Sequence, residues 1–256
     1  MTTRRLAVDG ADLAYTDHGS GHPIVLVHGG LSSGAAWGPL LPMLAEQFRV
    51  VAPDSRGHGH STNPRGELSY PLLADDLAAL IAELGLGAPL VGGWSDGGQV
   101  AAELAVRHPR AAGALVIGGA HPDFVGSGLR EVHCGLLGEL DGDADDELHE
   151  LIALHDDWPA LLRQTAGMWL GYDGLDAAQI AAVAVPTLVL AADRDEVVGL
   201  DLAVDLFRRL PDAELAVVPG ARHESPAGPE RGPLFAARIT DFARRRACTQ
   251  PGRAQP

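Results

Sequence analysis

The stretch Pro89-Leu90-Val91-Gly92-Gly93-Trp94-Ser95-Asp96-Gly97-Gly98-Gln99 constrains this chain more than any other. The residues up to Gly92 read as a short buried strand, and a helix is expected from about Gly97. Between them, Gly93-x-Ser95-x-Gly97 puts glycine two places before and two places after a serine. A side chain on a tight turn between strand and helix is lifted clear of the sheet. The backbones flanking it then nearly touch, which only glycine allows. The helix that follows aims its first amides at the same spot, where negative charge is stabilised.

The rest of the chain alternates strand and helix around this turn. Residues 4–9 and 12–17 read as a hairpin joined at Gly10. Residues 23–28 form a continuous apolar run of the kind found in buried parallel strands, ending in His28-Gly29-Gly30-Leu31. A helix is expected over 34–48 and a strand over 49–53, which leads into Asp54-Ser55-Arg56-Gly57-His58-Gly59-His60-Ser61. Helical spacing over 70–84 stops at Gly85, the helix after Ser95 halts at His108-Pro109, and 112–117 is a further strand. From 118 to about 185 no strand is predicted, only an acidic run over 141–150 and helical patterns over 148–154 and 159–169. The alternation resumes with strands over 186–192 and 214–219 and helices over 200–210 and 230–246. The predicted fold is therefore α/β, a mostly parallel, doubly wound sheet. Its core spans 1–118 and 186–248, and 119–185 is a helical insertion over the carboxyl edge of the sheet, placed as a lid. Residues 249–256 are expected to be a disordered tail.

Composition narrows the function. The chain has 256 residues, 46% of them hydrophobic, which suits one large domain with an insertion. A formal charge of −15 argues against nucleic acid as a partner. All its cationic side chains are arginine, none is lysine, and alanine and glycine abound, as in a GC-rich bacterial genome. Cys134 and Cys248 are too few for a disulfide framework, and no apolar run is long enough for a signal peptide or a membrane span. The expectation is a cytoplasmic protein with a small-molecule substrate and no membrane partner.

A serine hydroxyl is a poor nucleophile near neutral pH. It needs a base within hydrogen-bond reach and a carboxylate to orient that base. In the order strand–serine–helix the partners are expected after later strands, acid first and histidine second. Asp193-Arg194-Asp195 follows the strand over 186–192, and His223 follows the strand over 214–219. A tetrahedral oxyanion would also need two backbone amides, one of them that of the residue after the serine, Asp96.

These residues carry a family resemblance. His28-Gly29-Gly30, Asp54-x-Arg56-Gly57-x-Gly59-x-Ser61, Gly93-Trp94-Ser95-Asp96-Gly97-Gly98, Asp193-Arg194-Asp195 and His223 resemble the α/β-hydrolase superfamily over residues 4–246. The likeness is to its lid-bearing branch, with small esterases, cofactor-free haloperoxidase-like perhydrolases and carbon–carbon bond hydrolases. The Gly-Trp-Ser-Asp-Gly-Gly turn is similar to that of valacyclovir-hydrolase-like amino-acid-ester hydrolases. The resemblance implies Ser95 as nucleophile, His223 as base and Asp195 as acid, with Asp193 a turn residue; in some relatives the acid follows the earlier strand, where Asp123 stands. It implies Gly30 as the second oxyanion amide and neither cofactor nor metal.

Leu31, Trp94, His121 and Trp169 are candidate substrate contacts. Trp158, Leu161, Leu162, Met168 and Leu170 either join them in an apolar pocket or pack the lid. Asp96 either meets a cationic substrate group or caps its helix. His28, His58 and His60 are read as braces of their loops, and His108, His133, His149 and His155 form no metal-ligand grouping. The reaction expected is hydrolysis of a small or medium ester, thioester or lactone, with perhydrolysis or carbon–carbon cleavage on the same residues as the alternative. A binding protein without turnover is the reading from another class. An epoxide hydrolase or dehalogenase would carry aspartate where Ser95 stands.

Overall fold

Successive residues of the central strands point to opposite faces of the sheet, and both faces are apolar because both are covered. The computed structural model describes residues 2–140, 149, 151–224, 226 and 228–247. Its strands are β1 (Arg4–Val8), β2 (Ala11–Gly19), β3 (Pro23–Val27), β4 (Arg49–Pro53), β5 (Leu90–Trp94), β6 (Ala114–Gly118), β7 (Thr187–Ala192) and β8 (Ala213–Val218). They form one sheet in the order β1-β2-β4-β3-β5-β6-β7-β8. The hairpin strand β2 runs antiparallel to β1 and β4, and the pairings from β4 through β8 are parallel.

Alternation sorts the core into two halves. Val25, Val27, Val91, Leu115, Ile117 and Val189 face helices α2 (Tyr70–Glu83) and α3 (Asp96–Arg107). Ile24, Leu26, Leu90, Val116, Leu188 and Leu190 face the short α1 (Leu41–Ala45) and the C-terminal helix Gly232–Ala247. Among the described residues no strand lies between β6 and β7. That segment holds α4 (Leu129–Leu140), α5 (Trp158–Gly171) and α6 (Ala177–Ala181), and α7 (Leu200–Arg209) follows β7, leaving the C-terminal helix as α8. No described helix is long and apolar enough to cross a membrane.

Most sequence-predicted elements recur within a residue or two. The helix expected over 34–48 does not. Gly34–Trp37 is a single 3₁₀ turn and α1 has only five residues. Gly38, Pro39 and Pro42 explain the break, since glycine weakens a helix and proline lacks the amide that a continuous helix needs from it. The acidic run over 141–150, apart from His149, and the tail over 249–256 lie outside the described residues.

The polar loop after β4 is tied down by its own side chains. Asp54 accepts hydrogen bonds from the Gly34 and His60 amides (2.8 and 2.9 Å), and a Cβ at Gly59 would collide with its carboxylate. Ser61 donates to the Asp54 carbonyl and accepts from the Ala14 amide. Arg56, completely buried, makes a bidentate pair with Asp76 of α2 at 2.7 and 2.6 Å. Removing one partner of such a pair strands a buried charge, so Arg56→Met is expected to destabilise the protein by about 3–5 kcal/mol. In urea denaturation, Arg56→Met/Asp76→Leu is expected to recover most of that loss. A double variant no more stable than the single would show that packing, not charge, sets the cost.

Candidate active site

Ser95 joins β5 to α3 with φ +55° and ψ −123°, a conformation costly for any residue with a Cβ. The neighbours explain how it is held. The Ser95 amide donates to the Gly118 carbonyl of β6 at 2.9 Å. A Cβ at Gly93 would strike the Gly97 carbonyl, one at Gly97 the Val27 carbonyl, and one at Gly98 the Ala120 side chain at 2.7 Å. The spacing that drew attention in the sequence is thus a record of backbone approaching backbone.

β3 and β5 are parallel neighbours, with Val27 opposite Gly93, and β4 lies on the other side of β3. The strand order reverses here, so the loops leaving β3 and β5 part and open a crevice between them. Gly29 and Gly30 lie in it. A Cβ at Gly30 would clash with the Asp96 carboxylate and with Trp169. Among the described residues nothing accepts from the Gly30 or Asp96 amides. His28 braces this loop as expected: its Nδ1 donates to the Gly29 carbonyl and its Nε2 accepts from the Ser55 amide.

Loops after β7 and β8 bring in the other two groups. His223 Nδ1 is 2.9 Å from both Asp195 oxygens. Asp195 Oδ1 also accepts from the Val197 and Val198 amides, so the carboxylate is fixed before it orients the ring. Asp193 instead accepts from the Ala221 amide and pins the histidine loop. Trp94 Nε1 donates to the His223 carbonyl from below. Asp123 is engaged by the Gly126 amide and Arg209, so His223 is paired with Asp195 and not with it.

Ser95 and His223 line one cavity of about 320 Å³. Its walls include Gly29, Gly30, Trp37, Trp94, Val197 and Pro226, with His133, Leu136 and Trp169 from α4 and α5. Of the four candidate substrate contacts, Trp94 and Trp169 are in the wall. Leu31 is not: at φ +54° its side chain turns into the core. His121 is not either; it is buried with Nε2 on Asp205, and its carbonyl accepts from Gln99. Trp158, Leu161, Leu162 and Met168 pack on the core rather than line the cavity, and Leu170 is exposed.

Asp96 neither caps α3 nor lines the cavity. Its carboxylate accepts from the Tyr70 hydroxyl (2.7 Å) and from Trp169 Nε1 (2.8 Å). Helical periodicity places such residues on a face of their own helix, but no local pattern announces a partner 73 residues away. His133 and His155, unremarkable in sequence, were missed for the same reason. None of the described wall residues is a lysine or arginine, and no group of three metal-ligating side chains occurs among the described residues.

Residues 22–133 match the family model described as alpha/beta hydrolase fold. The 2-hydroxymuconate semialdehyde hydrolase of Pseudomonas sp. (strain CF600) is 29% identical, the match covering 88% of each chain. A protein of Azorhizobium caulinodans, provisionally named as the carbamate hydrolase RutD, is 30% identical over 83% of this chain and 88% of its own. The chain belongs to the α/β-hydrolase family. Among solved structures, a thermophilic esterase from Thermogutta terrifontis superposes with a TM-score of 0.78 at 25% identity, covering 96% of this chain and 99% of that one.

In this α/β-hydrolase a chain of histidines ties the segment inserted after β6 to the loops that leave the sheet. His155 accepts from the Gly59 amide through Nδ1 and donates through Nε2 to the Leu31 carbonyl, next to Gly30. His58 stands between His28 and His155, with ring centroids 5.1 and 6.0 Å away. Burial pushes the His28 imidazole down to about 4 and His58 to about 3, and lowers His155 as well. In the unfolded chain these rings protonate near 6.5. The folded state therefore binds fewer protons below that pH, and stability is lost as pH falls from 6.5 towards 4. His28 alone accounts for about 3 kcal/mol of that loss. Urea midpoints measured from pH 7.5 to 4.5 are expected to drop steeply below 6.5, and His58→Gln is expected to flatten the slope. An unchanged slope in the variant would assign the acid lability to other groups.

Proposed function

We propose that this protein is a serine hydrolase that cleaves a small or medium neutral carboxylic ester or lactone through an acyl-Ser95 intermediate. The observation that carries the reading is the His223–Asp195 pair, opening onto the same cavity as a serine held on a strained turn. Each step has a residue suited to it. His223 Nε2 takes the proton as Ser95 Oγ attacks the carbonyl carbon. The oxyanion that forms is received by the free amides of Gly30 and Asp96. His223 then gives its proton to the departing alcohol, and water, deprotonated by the same ring, releases the acid. Asp195, held by two amides of its own, keeps the proton on Nδ1 and stabilises the imidazolium.

The helices α4 and α5 act in this reading as a lid, which is supported by the wall residues they supply to the cavity that Ser95 lines. The esterase likeness of the fold supports the ester as substrate. Carbon–carbon cleavage on the same three residues is the second reading, favoured by the Pseudomonas relative. That relative's named substrate is a muconate, an anion, and the wall described above has no cation to receive one. The cavity therefore favours a neutral substrate.

On p-nitrophenyl esters of rising acyl length, turnover is expected to peak at short to medium chains, as the cavity volume dictates. Ser95→Ala is expected to lose at least about 10³-fold in kcat and to escape labelling by a fluorophosphonate. Labelling of a residue other than Ser95 would overturn the assignment. Asp195→Asn is expected to cost about 10⁴-fold in kcat with KM little changed, because the amide favours the wrong tautomer of His223. A loss carried mainly by KM would instead assign Asp195 a role in substrate binding.

A further inference from the structure

The cavity wall holds a buried acceptor that these steps leave without a task, apart from the Ser32 hydroxyl and the exposed Glu224 carboxylate that also line it. His133 of α4 is 4% exposed, and its Nδ1 is 2.7 Å from the Leu129 carbonyl oxygen one turn earlier. A carbonyl can only accept, so Nδ1 carries the proton. In the neutral ring Nε2 then keeps a lone pair and no hydrogen. Among the described residues nothing donates to Nε2, although the ring lines the cavity. Of the other rings of the wall, both His28 nitrogens are engaged, Trp94 donates to the His223 carbonyl and Trp169 donates to Asp96, while Trp37 Nε1, without a partner among the described residues, can only donate and is no acceptor.

This acceptor is held in place from several sides. Phe124 and Trp169 clamp the ring with centroids 4.9 and 4.6 Å away, Trp169 edge-on. The Trp169 indole is fixed by Asp96, and Asp96 by Tyr70 of α2. The chain of contacts runs from the core through the turn at Ser95 to the inserted helices. A lone pair presented so rigidly on a buried ring is cut off from solvent when substrate enters. The loss goes uncompensated unless the substrate brings a donor.

We infer that His133 is a specificity-determining residue that accepts a hydrogen bond from a hydroxyl or amide N–H carried by the substrate. The preferred substrate is then a neutral ester or lactone bearing one such donor, rather than a plain aliphatic ester. This rests on the reading of Ser95 as an ester-cleaving nucleophile. Sites built to bond a substrate hydroxyl or amide reject analogues that lack it far more strongly than apolar pockets reject a missing methylene.

The test compares p-nitrophenyl esters of equal chain length, with the donor placed in turn along the acyl chain: unsubstituted, hydroxylated, acylamino-substituted, and O-methylated at the hydroxyl. The full-length protein is expected to show kcat/KM at least about tenfold higher for a hydroxyl or acylamino ester than for its deoxy and O-methyl twins. In His133→Phe, which keeps an aromatic ring between Phe124 and Trp169, that ratio is expected to fall to about one. No discrimination at any position in the wild type, or an unchanged ratio in the variant, would overturn the inference. If that variant does not fold, His133→Leu takes its place, and Glu224→Gln, expected to keep the wild-type ratio, separates His133 from the exposed carboxylate in the wall. Turnover of plain esters that vanishes in Ser95→Ala, without donor discrimination, would leave the hydrolase reading standing and refute only the role of His133. Absence of turnover on every ester would refute both.

Discussion

The strained backbone at Ser95 is the constraint on which the rest of the structure depends. A non-glycine residue at φ +55° costs on the order of 1–3 kcal/mol and persists only where its surroundings over-determine it. Here they do so from three directions. The Gly118 carbonyl holds the Ser95 amide, the Val27 carbonyl crowds Gly97, and the Gly97 carbonyl crowds Gly93. Val27 and Gly118 belong to strands buried on both faces and Gly97 to the helix that leaves the turn, so the turn is fixed by the packing of the sheet and of α3 upon it.

The same logic extends outward through histidines that have no part in the proposed chemistry. Burial disfavours the charged form of His28, His58 and His155, and a neutral ring such as that of His28 or His155 is both a donor and an acceptor. That dual character lets His28 join the loop after β3 to the loop after β4. It also lets His155 join both loops to the segment inserted after β6. Leu31, at positive φ, is where two constraints meet. Its side chain is drawn into the core while its carbonyl is held by His155, and its neighbour Gly30 lines the cavity.

Asp96 shows how one position can serve two structural ends. Its amide sits at the start of α3 beside the cavity, and its carboxylate, buried and accepting from Tyr70 and Trp169, anchors the far wall. In this arrangement the depth of the cavity and the position of the Ser95 turn are set together. A cavity wall and the Ser95 turn coupled through one residue give a pocket whose shape cannot drift independently of that turn.

Much of this was legible in the chain. Strand periodicity, glycine spacing and the order Ser95, Asp195, His223 are local signals, because steric exclusion at a turn and apolar burial along a strand act on residues close in sequence. The failures were local too: Gly38, Pro39 and Pro42 outweighed an apolar pattern that read as one long helix. What the sequence could not give were contacts made across the fold. Leu31 and His121 looked like wall residues because they follow strand ends, yet backbone conformation turned the first inward and Asp205 holds the second. His133 and His155 looked inert because a histidine's role depends on which nitrogen is already bonded. The sequence by itself determined the α/β sheet and the placing of Ser95, Asp195 and His223 in the loops that leave its strands. Only the tertiary structure decided which side chains face the cavity, because that depends on packing between elements far apart in the chain, which no local pattern encodes.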